Sequence, residues 1–318
     1  MTAWAVSILA FVIIQLPEGD FVDVYIEGLG FEGIYVSLKE AEVLREYYGL
    51  DKPVYTQYLK WVGHMSRGDF GYSYTQEIPV KETLKERIPY TIVLAAVTIL
   101  FTWVLAIPIG IYSAVRHHSA GDYAFTFLGF MGLAVPDFLL GLVLMYVALA
   151  YFHVSVGGLF SPEYLSAPWD MARAWNMATH LWIPALVLGT AGTAALIRIM
   201  RNNLLDELSK PYVVTARAKG MTSWRVILKY PVRMAINPLV STVGYLLPAL
   251  IGGSVIVSVV LSLPTLGPTL LRALLEQDMF LAGTVLLILG ILTVVGTLLS
   301  DLLLVVVDPR IKVTGSRE

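Results

Sequence analysis

The chain has 318 residues, of which 57% are hydrophobic and 14% are charged, and its formal net charge is −2. Soluble domains carry about 25% charged residues, so this composition, with a mean hydropathy of +0.70, excludes a water-soluble globular protein. The near-neutral charge gives no indication of a nucleic-acid partner, and the sequence has no cysteine for thiol or disulfide chemistry. The apolar segments are continuous rather than alternating, which predicts an all-α, polytopic helical membrane protein.

We predict six transmembrane helices, with an extracytoplasmic insert of roughly 70 residues after the first helix. Residues 1–16 form the first predicted helix. They are short for a span of about 20 residues, so we expect start-site choice to supply a beginning upstream of Met1. A cleaved signal peptide is disfavoured, because the segment lacks a basic flank and a small-x-small cleavage site. Residues 17–89 form the predicted insert, and residues 90–318 form the predicted five-helix transmembrane core.

The insert is predicted to contain two helices and a tight turn. Ser37-x-x-Glu40 is a capping box that begins the first helix, and Gly49 suits the left-handed residue that ends it. The second helix carries three aromatic residues that favour either a lipid headgroup interface or packing inside the insert: Tyr55, Tyr58 and Trp61. The two glycines within Arg67–Ser73 predict the turn.

The second and third spans are predicted at Tyr90–Val115 and Tyr123–Phe152. The pair His117-His118 follows the second span. Adjacent residues on a helix point apart, so we expect a solvated loop end there rather than a metal site.

Asp137 lies inside the third predicted span, directly after Pro136. A carboxylate in hydrocarbon is costly and normally faces a cavity or a partner. Asp137 is therefore a candidate pore-facing residue, and the alternative is a helix-end position set by the proline kink.

The remaining spans are predicted at Leu181–Ile197, Leu239–Leu263 and Leu281–Val307, and a loop rich in Gly, Pro and Trp is predicted at 153–180. Small residues between Gly189 and Ala195 give the fourth span a face for close packing, either within the chain or with another subunit.

A strongly basic segment separates the fourth and fifth spans, with eight bases against two acids between Arg198 and Arg233. Lys and Arg gather in short cytoplasmic loops, so the loop at 202–236 is predicted to face the cytoplasm. It is predicted to form two short helices. Ser209 and Pro211 suit the start of the first helix, Gly220 suits a left-handed residue at its end, and Thr222 suits the cap of the second.

Small and cationic side chains precede the break at Gly220. Thr215, Ala216 and Ala218 would let the first helix approach a groove of another protein closely, while Arg217 and Lys219 would place charge at its rim.

The run Val213-Val214-Thr215-Ala216-Arg217-Ala218-Lys219-Gly220, with Asn237-Pro238 beyond it, resembles the cytoplasmic "EAA" loop of ABC importer permeases. It is most similar to the B-type branch of the dipeptide and oligopeptide permeases. Val214 stands where many permeases have Glu, a departure that is usual in this branch. The resemblance extends from Phe11 to Lys312, including the closing segment Asp308–Lys312.

The resemblance implies that Thr215–Gly220 form the helix that couples the chain to an ATPase. It also implies a second homologous permease subunit, two ATP-binding subunits and an extracytoplasmic solute-binding protein, in an inner membrane. Six spans with the basic segments on the inner side put both termini of the chain in the cytoplasm. Transport would proceed by alternating access, and the substrate would be a peptide, with oligosaccharides as the alternative.

The chain has no G-x-x-x-x-G-K-[ST] phosphate loop, so we expect it to be no enzyme and to leave ATP hydrolysis to its partners. No cofactor, metal site or catalytic residue is predicted. A different class of protein, an ion-coupled secondary transporter, would work without any ATPase.

Overall fold

The computed structural model describes residues 2–16, 19–31, 36–73, 75–152, 157–243 and 254–307. Within these ranges the chain is helical, and the only β-type pairing is an isolated bridge between Tyr72 and Pro79. The helices are α1 (Thr2–Ile14), α2 (Phe21–Phe31), α3 (Leu38–Tyr48), α4 (Val54–Ser66), α5 (Val80–Val115), α6 (Ala120–Ala134), α7 (Asp137–Phe152), α8 (Met171–Leu208), α9 (Pro211–Ala218), α10 (Ser223–Lys229), α11 (Pro231–Ala235), α12 (Val255–Val260), α13 (Leu266–Leu275) and α14 (Met279–Val307). Residues 237–243 are also helical.

Several of these helices can cross a membrane. Among the described residues, α5, α8 and α14 are long and apolar enough by themselves, and α6 with α7 makes a fourth candidate if the bent pair is one span. The all-α, multi-pass architecture is thereby confirmed. The count of six stays a prediction: α1 has 13 residues, and residues 244–253 of the fifth predicted span lie outside the described ranges.

Two long helices begin earlier than the hydropathy pattern predicted. α5 begins at Val80 rather than at Tyr90, so the predicted boundary at residue 89 falls inside a helix. Val80 and Leu84 are buried in an apolar cluster that Ile88 also contacts, and this i, i+4, i+8 stripe stabilises the extra turns. α8 begins at Met171, within the predicted loop, because the Asp170 carboxylate accepts the N–H of Arg173 at 2.8 Å and caps the helix.

The chain divides into two compact units, and the second comprises Val93–Leu263 and Thr293–Glu318. Its central element is α8, which contacts α6, α7 and α11. Close approach to α5 depends on Gly110, where an added Cβ would lie 2.6 Å from the Cβ of Met200. At Gly189, an added Cβ would lie 2.8 Å from the ring of Phe101. The small-residue face of α8 therefore packs within the chain at Gly189.

The first unit comprises Met1–Ile92 and Pro264–Leu292. Its core includes Trp61, which is 1% exposed. The ring of Phe11 lies 5.3 Å from that of Tyr58 and 5.9 Å from that of Trp61. Two of the three aromatic residues of α4 thus pack inside the unit, as one of the two alternatives predicted, while Tyr55 is exposed.

The local signals in the insert are confirmed. Ser37 and Glu40 form a reciprocal capping box, and Gly49 ends α3 with a φ of 70°. The backbone N–H and then the hydroxyl of Ser37 lower the pKa of the Glu40 carboxyl. The turn after α4 uses Gly68 and Gly71, each with a φ of 77°.

A buried carboxylate joins distant segments of the first unit. Asp278 is 0% exposed and accepts hydrogen bonds from the Ser73 hydroxyl at 2.5 Å and from the Thr75 hydroxyl and N–H at 3.2 Å. Its other oxygen accepts the N–H of Leu281 at 3.1 Å and so caps α14. The carboxylate therefore fixes the turn before α5 to the first turn of α14.

Replacing Asp278 with Ala should destabilise the protein by about 2 kcal/mol, because it leaves buried donors without an acceptor. The measurement is the midpoint of thermal unfolding of the purified protein in detergent. Asp51→Ala removes an exposed carboxylate from the same unit and should leave the midpoint within error. An equal response of the two variants would contradict the anchoring role of Asp278.

Candidate functional site: the segment between α8 and α12

The predicted coupling segment begins one residue later than its sequence suggested. Lys210, not Ser209, is the N-cap of α9, and Pro211 occupies the first turn as predicted. The Ser209 hydroxyl donates instead to the carbonyl of Asp206 at 2.8 Å, because Ser209 terminates α8 and the preceding turn already offers an acceptor.

The break between the two short helices is where the sequence placed it. α9 ends at Ala218, and Gly220 follows with a φ of 76°. Its N–H donates to the carbonyl of Arg217 at 2.9 Å. A Cβ on Gly220 would meet nothing within 4 Å, so the glycine is required by backbone conformation and not by space. Thr222 is the N-cap of α10, as predicted, although its side chain makes no capping hydrogen bond.

An internal cluster holds α9 and α10 together. Val213, Ala216 and Val226 are buried, and Met221 and Tyr230 pack against them. The structure therefore places Ala216 against its own chain and not on the surface offered to another protein.

The other five predicted coupling residues are exposed: Thr215, Arg217, Ala218, Lys219 and Gly220. Sequence reasoning missed three exposed apolar neighbours on α9 and α10. Val214 is 61% exposed, Trp224 60% and Leu228 56%. The i, i+4 spacing of Trp224 and Leu228, beside the buried pair Val226 and Ile227, is the signal that could have found them. Apolar side chains among exposed cations make this a candidate docking surface.

Two further contacts fix the segment to α8. The Tyr212 hydroxyl donates to the Glu207 carboxylate at the end of α8, and partial burial and then this hydrogen bond raise the pKa of Tyr212. Beyond α10, one apolar cluster joins α8 to α10, α11 and the helical residues that follow: Leu196, Met200, Leu204, Ile227, Val232, Ala235 and Leu239. The candidate docking surface is therefore fixed to the buried apolar face of α8.

An ion pair that the sequence analysis did not find ties α8 to the start of α6. The Asp122 carboxylate, which is 2% exposed, accepts Nε and Nη2 of Arg201 at 2.8 Å and 2.9 Å. It also accepts the backbone N–H of His118 at 3.0 Å. The signal was present, since an acid at the start of an apolar helix needs a cationic partner, and Arg201 is one of the few bases in an apolar helix.

The structure places Asp137 at the first residue of α7, directly after Pro136. α6 and α7 are bent by 101° at this break. The helix-end alternative therefore describes the local backbone, and a carboxylate in the first turn is favoured by the helix dipole. Asp137 is half-buried, and its carboxylate accepts no hydrogen bond from any residue that the structure describes.

The histidine pair lies in the turn between α5 and α6, where His118 has a φ of 62°. The two rings are 3.7 Å apart. Within the described ranges, no group of three His, Cys, Asp or Glu side chains is placed to hold a metal ion.

Comparisons with known proteins identify the class. A family described as "Binding-protein-dependent transport system inner membrane component" matches residues 106–313, which include α6 to α11. The Oligopeptide transport system permease protein AppB of Bacillus subtilis is 37% identical over 311 residues, covering 96% of this chain and 94% of that protein. The Dipeptide transport system permease protein DppB of Escherichia coli is 30% identical over 323 residues, covering 96% and 94%.

A third relative, the Oligopeptide transport system permease protein OppB of Mycobacterium bovis, is 32% identical over 273 residues, or 84% of this chain and 83% of that protein. The chain therefore belongs to the family of binding-protein-dependent transport system inner-membrane components, the permease subunits of ABC importers. It is a multi-pass inner-membrane protein and works in a complex with other subunits, which carry the ATPase.

Breaking the Asp122–Arg201 pair should destabilise the protein, because a buried charge that loses its partner is costly. Arg201→Gln is expected to cost about 2 kcal/mol. Adding Asp122→Asn to Arg201→Gln should recover part of that loss, since it removes the orphaned charge. The measurement is a double-mutant cycle on the thermal midpoint in detergent. Arg233→Gln, which removes an exposed charge from α11, is the control. Additive effects would show that the two side chains do not interact.

Proposed function

We propose that this chain is one of two homologous permease subunits that move peptides inward across the membrane by alternating access, driven by two ATP-binding subunits. The names of its relatives, oligopeptide and dipeptide transport permeases, support the substrate class. Oligosaccharides are the alternative cargo. An extracytoplasmic solute-binding protein would deliver the cargo to the outer side.

The proposed topology has six spans, with the insert outside and both termini in the cytoplasm. The exposed bases of α9 to α11, including Arg217, Lys219 and Arg225, support a cytoplasmic position for this segment. The closing segment Asp308–Lys312, which carries two further bases, lies outside the described residues.

The main support for the proposal is that α9 and α10 expose the candidate docking surface while their backbone is fixed to α8. Thr215, Arg217, Ala218, Lys219 and Gly220 would contact an ATPase, together with the exposed apolar residues beside them. A nucleotide can shift a two-state equilibrium only through unequal affinity for the two states. If the docking surface moves with α8, the closed ATPases would bind one arrangement of the helices more tightly than the other. This unequal binding would let ATP shift the equilibrium between the two arrangements.

We propose, in addition, that Asp137 faces the translocation pathway. Non-helical backbone at membrane depth is tolerated where it is buried in protein or lines a water-filled cavity. The helix break before Asp137 and the half-buried carboxylate of this residue are what we expect where the backbone lines a water-filled cavity.

The test of the whole proposal is reconstitution of the chain with its partner subunits in liposomes, with labelled di- to pentapeptides as cargo. Uptake should require ATP on the side of the membrane that the basic segment of α9 to α11 faces. It should also require the solute-binding protein on the opposite side. Uptake by the chain alone under an ion gradient would instead establish a secondary transporter.

Gly220→Val should separate ATP hydrolysis from peptide uptake while leaving the protein in the membrane. A β-branched residue resists the φ of 76° and would reorient α9 relative to α10. Uptake per ATP hydrolysed in liposomes is expected to fall about ten-fold, which corresponds to a change of about 1.4 kcal/mol.

The matched control for Gly220→Val is Gly68→Val. Gly68 is also exposed, has a φ of 77° and would meet nothing within 4 Å, but it lies in the insert. It should leave the uptake-to-hydrolysis ratio unchanged. Normal coupling in Gly220→Val would count against the proposed role of the segment.

Asp137→Leu should alter the peptide range or the KM of uptake, because it removes a charge from the proposed pathway. The measurement compares uptake of cationic, neutral and anionic dipeptides. Asp301→Leu removes an exposed acid from α14, where the structure gives it no ion pair with a described residue, and should leave that range unchanged. Identical uptake kinetics in wild type and Asp137→Leu would contradict a position in the pathway and would leave only a role at the start of α7.

A further inference from the structure

A cavity of about 270 Å³ lies between α6 and α8 in the second unit. On α8 it is lined by Arg198, Arg201 and Asn202, whose i, i+3, i+4 spacing places them on one face of the helix. The α6 side contributes Tyr123, Thr126, Phe130 and Leu133 among other residues. Nothing in the function proposed above uses this cavity.

The polar end of the cavity has a net charge of one positive unit. Asp122 and Arg201 neutralise each other through two hydrogen bonds. Arg198 is exposed and makes no ion pair with any residue that the structure describes. A phosphodiester carries one negative charge, and a guanidinium binds it with short, charge-assisted hydrogen bonds. The charge at this end therefore matches one phosphodiester.

The other end of the cavity is apolar and open. Phe130 is 57% exposed and Leu133 44%, and across from them α8 contributes Ala194 and Ile197. The two helices come close here, since a Cβ on Gly129 would lie 3.6 Å from that of Ala194. The cavity is therefore amphipathic along its length, cationic near Arg198 and hydrocarbon-like near Phe130.

We propose that the cavity binds one anionic phospholipid, with its phosphodiester on Arg198 and Asn202 and an acyl chain along Phe130 and Leu133. A free phosphate would leave the apolar end unused, whereas a phospholipid fills both ends and is present at bilayer concentration around a membrane-spanning helix. Basic pockets between transmembrane helices bind lipid headgroups in this way. The proposal depends on the proposed function only for the leaflet, which would be the cytoplasmic one.

The test uses the purified full-length chain, extracted from nanodiscs that contain equal amounts of phosphatidylglycerol and phosphatidylcholine. Native mass spectrometry then counts the lipids that remain bound. Wild type should retain phosphatidylglycerol over phosphatidylcholine by about five-fold, the effect of one arginine near an anionic lipid. Arg198→Gln should abolish the preference, and Phe130→Ser should lower total lipid retention. Both residues are exposed, so neither change should prevent folding.

Arg233→Gln is the control, because it removes an exposed charge from α11 and should keep the preference. Three results would overturn the proposal. The preference could survive Arg198→Gln. Millimolar inorganic phosphate could displace the bound phosphatidylglycerol, which would indicate a simple anion site. The variant Tyr123→Cys, made in a chain with no natural cysteine, could crosslink into a dimer, which would show that a second copy covers the cavity.

Lipid retention is measured without ATP, peptide or partner subunits. Its failure would leave the proposed importer function intact, and failure of ATP-driven uptake would leave the lipid site intact.

Discussion

The structure of the second unit depends on the burial of one face of α8. Leu196, Met200 and Leu204 recur at i, i+4, i+8 and are each at most 1% exposed, and they meet α10 and α11 in a single apolar cluster. Because lipid offers no hydrophobic driving force between helices, van der Waals attraction between these closely packed side chains stabilises the contact. The basic segment that follows α8 is thus not a free loop, and its geometry is determined by the same contacts that determine the position of the helix.

Polar contacts fix the relative position of helices that apolar packing alone would leave free to slide. The Asp122–Arg201 pair joins the start of α6 to α8 by two hydrogen bonds of defined geometry. Apolar contacts tolerate sliding, whereas a bidentate guanidinium–carboxylate pair in a desolvated site has one good arrangement. In the first unit Asp278 has the same effect through hydroxyl and N–H donors. Both carboxylates begin or precede helices, where the exposed backbone N–H groups stabilise their charge.

The sequence predicted features whose cause is local. Composition predicted membrane helices, the Ser37 capping box predicted the start of α3, and Gly220 predicted the left-handed break, because each depends on a few neighbouring residues. The starts of α5 and α8 were missed because packing and a cap at Asp170, not hydropathy, extend those helices. The burial of Ala216 could not be predicted from the sequence either, because it depends on contact with Val226 across the break at Gly220. The ion pair at Asp122 required knowing that residues 79 positions apart meet.

Exposed apolar side chains occur in two different chemical environments in this protein. Leu142 and Val143 on α7 are 46% and 50% exposed and stand in the apolar stretch Leu139–Met145, so lipid alone can satisfy them. Trp224 is also exposed, but Arg225 is adjacent to it, and a short helix fixed by an internal cluster carries it. A cation beside an apolar side chain disfavours burial of this surface in hydrocarbon. Because the buried cluster already holds the backbone of α9 and α10, docking at the proposed coupling surface would lose little backbone entropy.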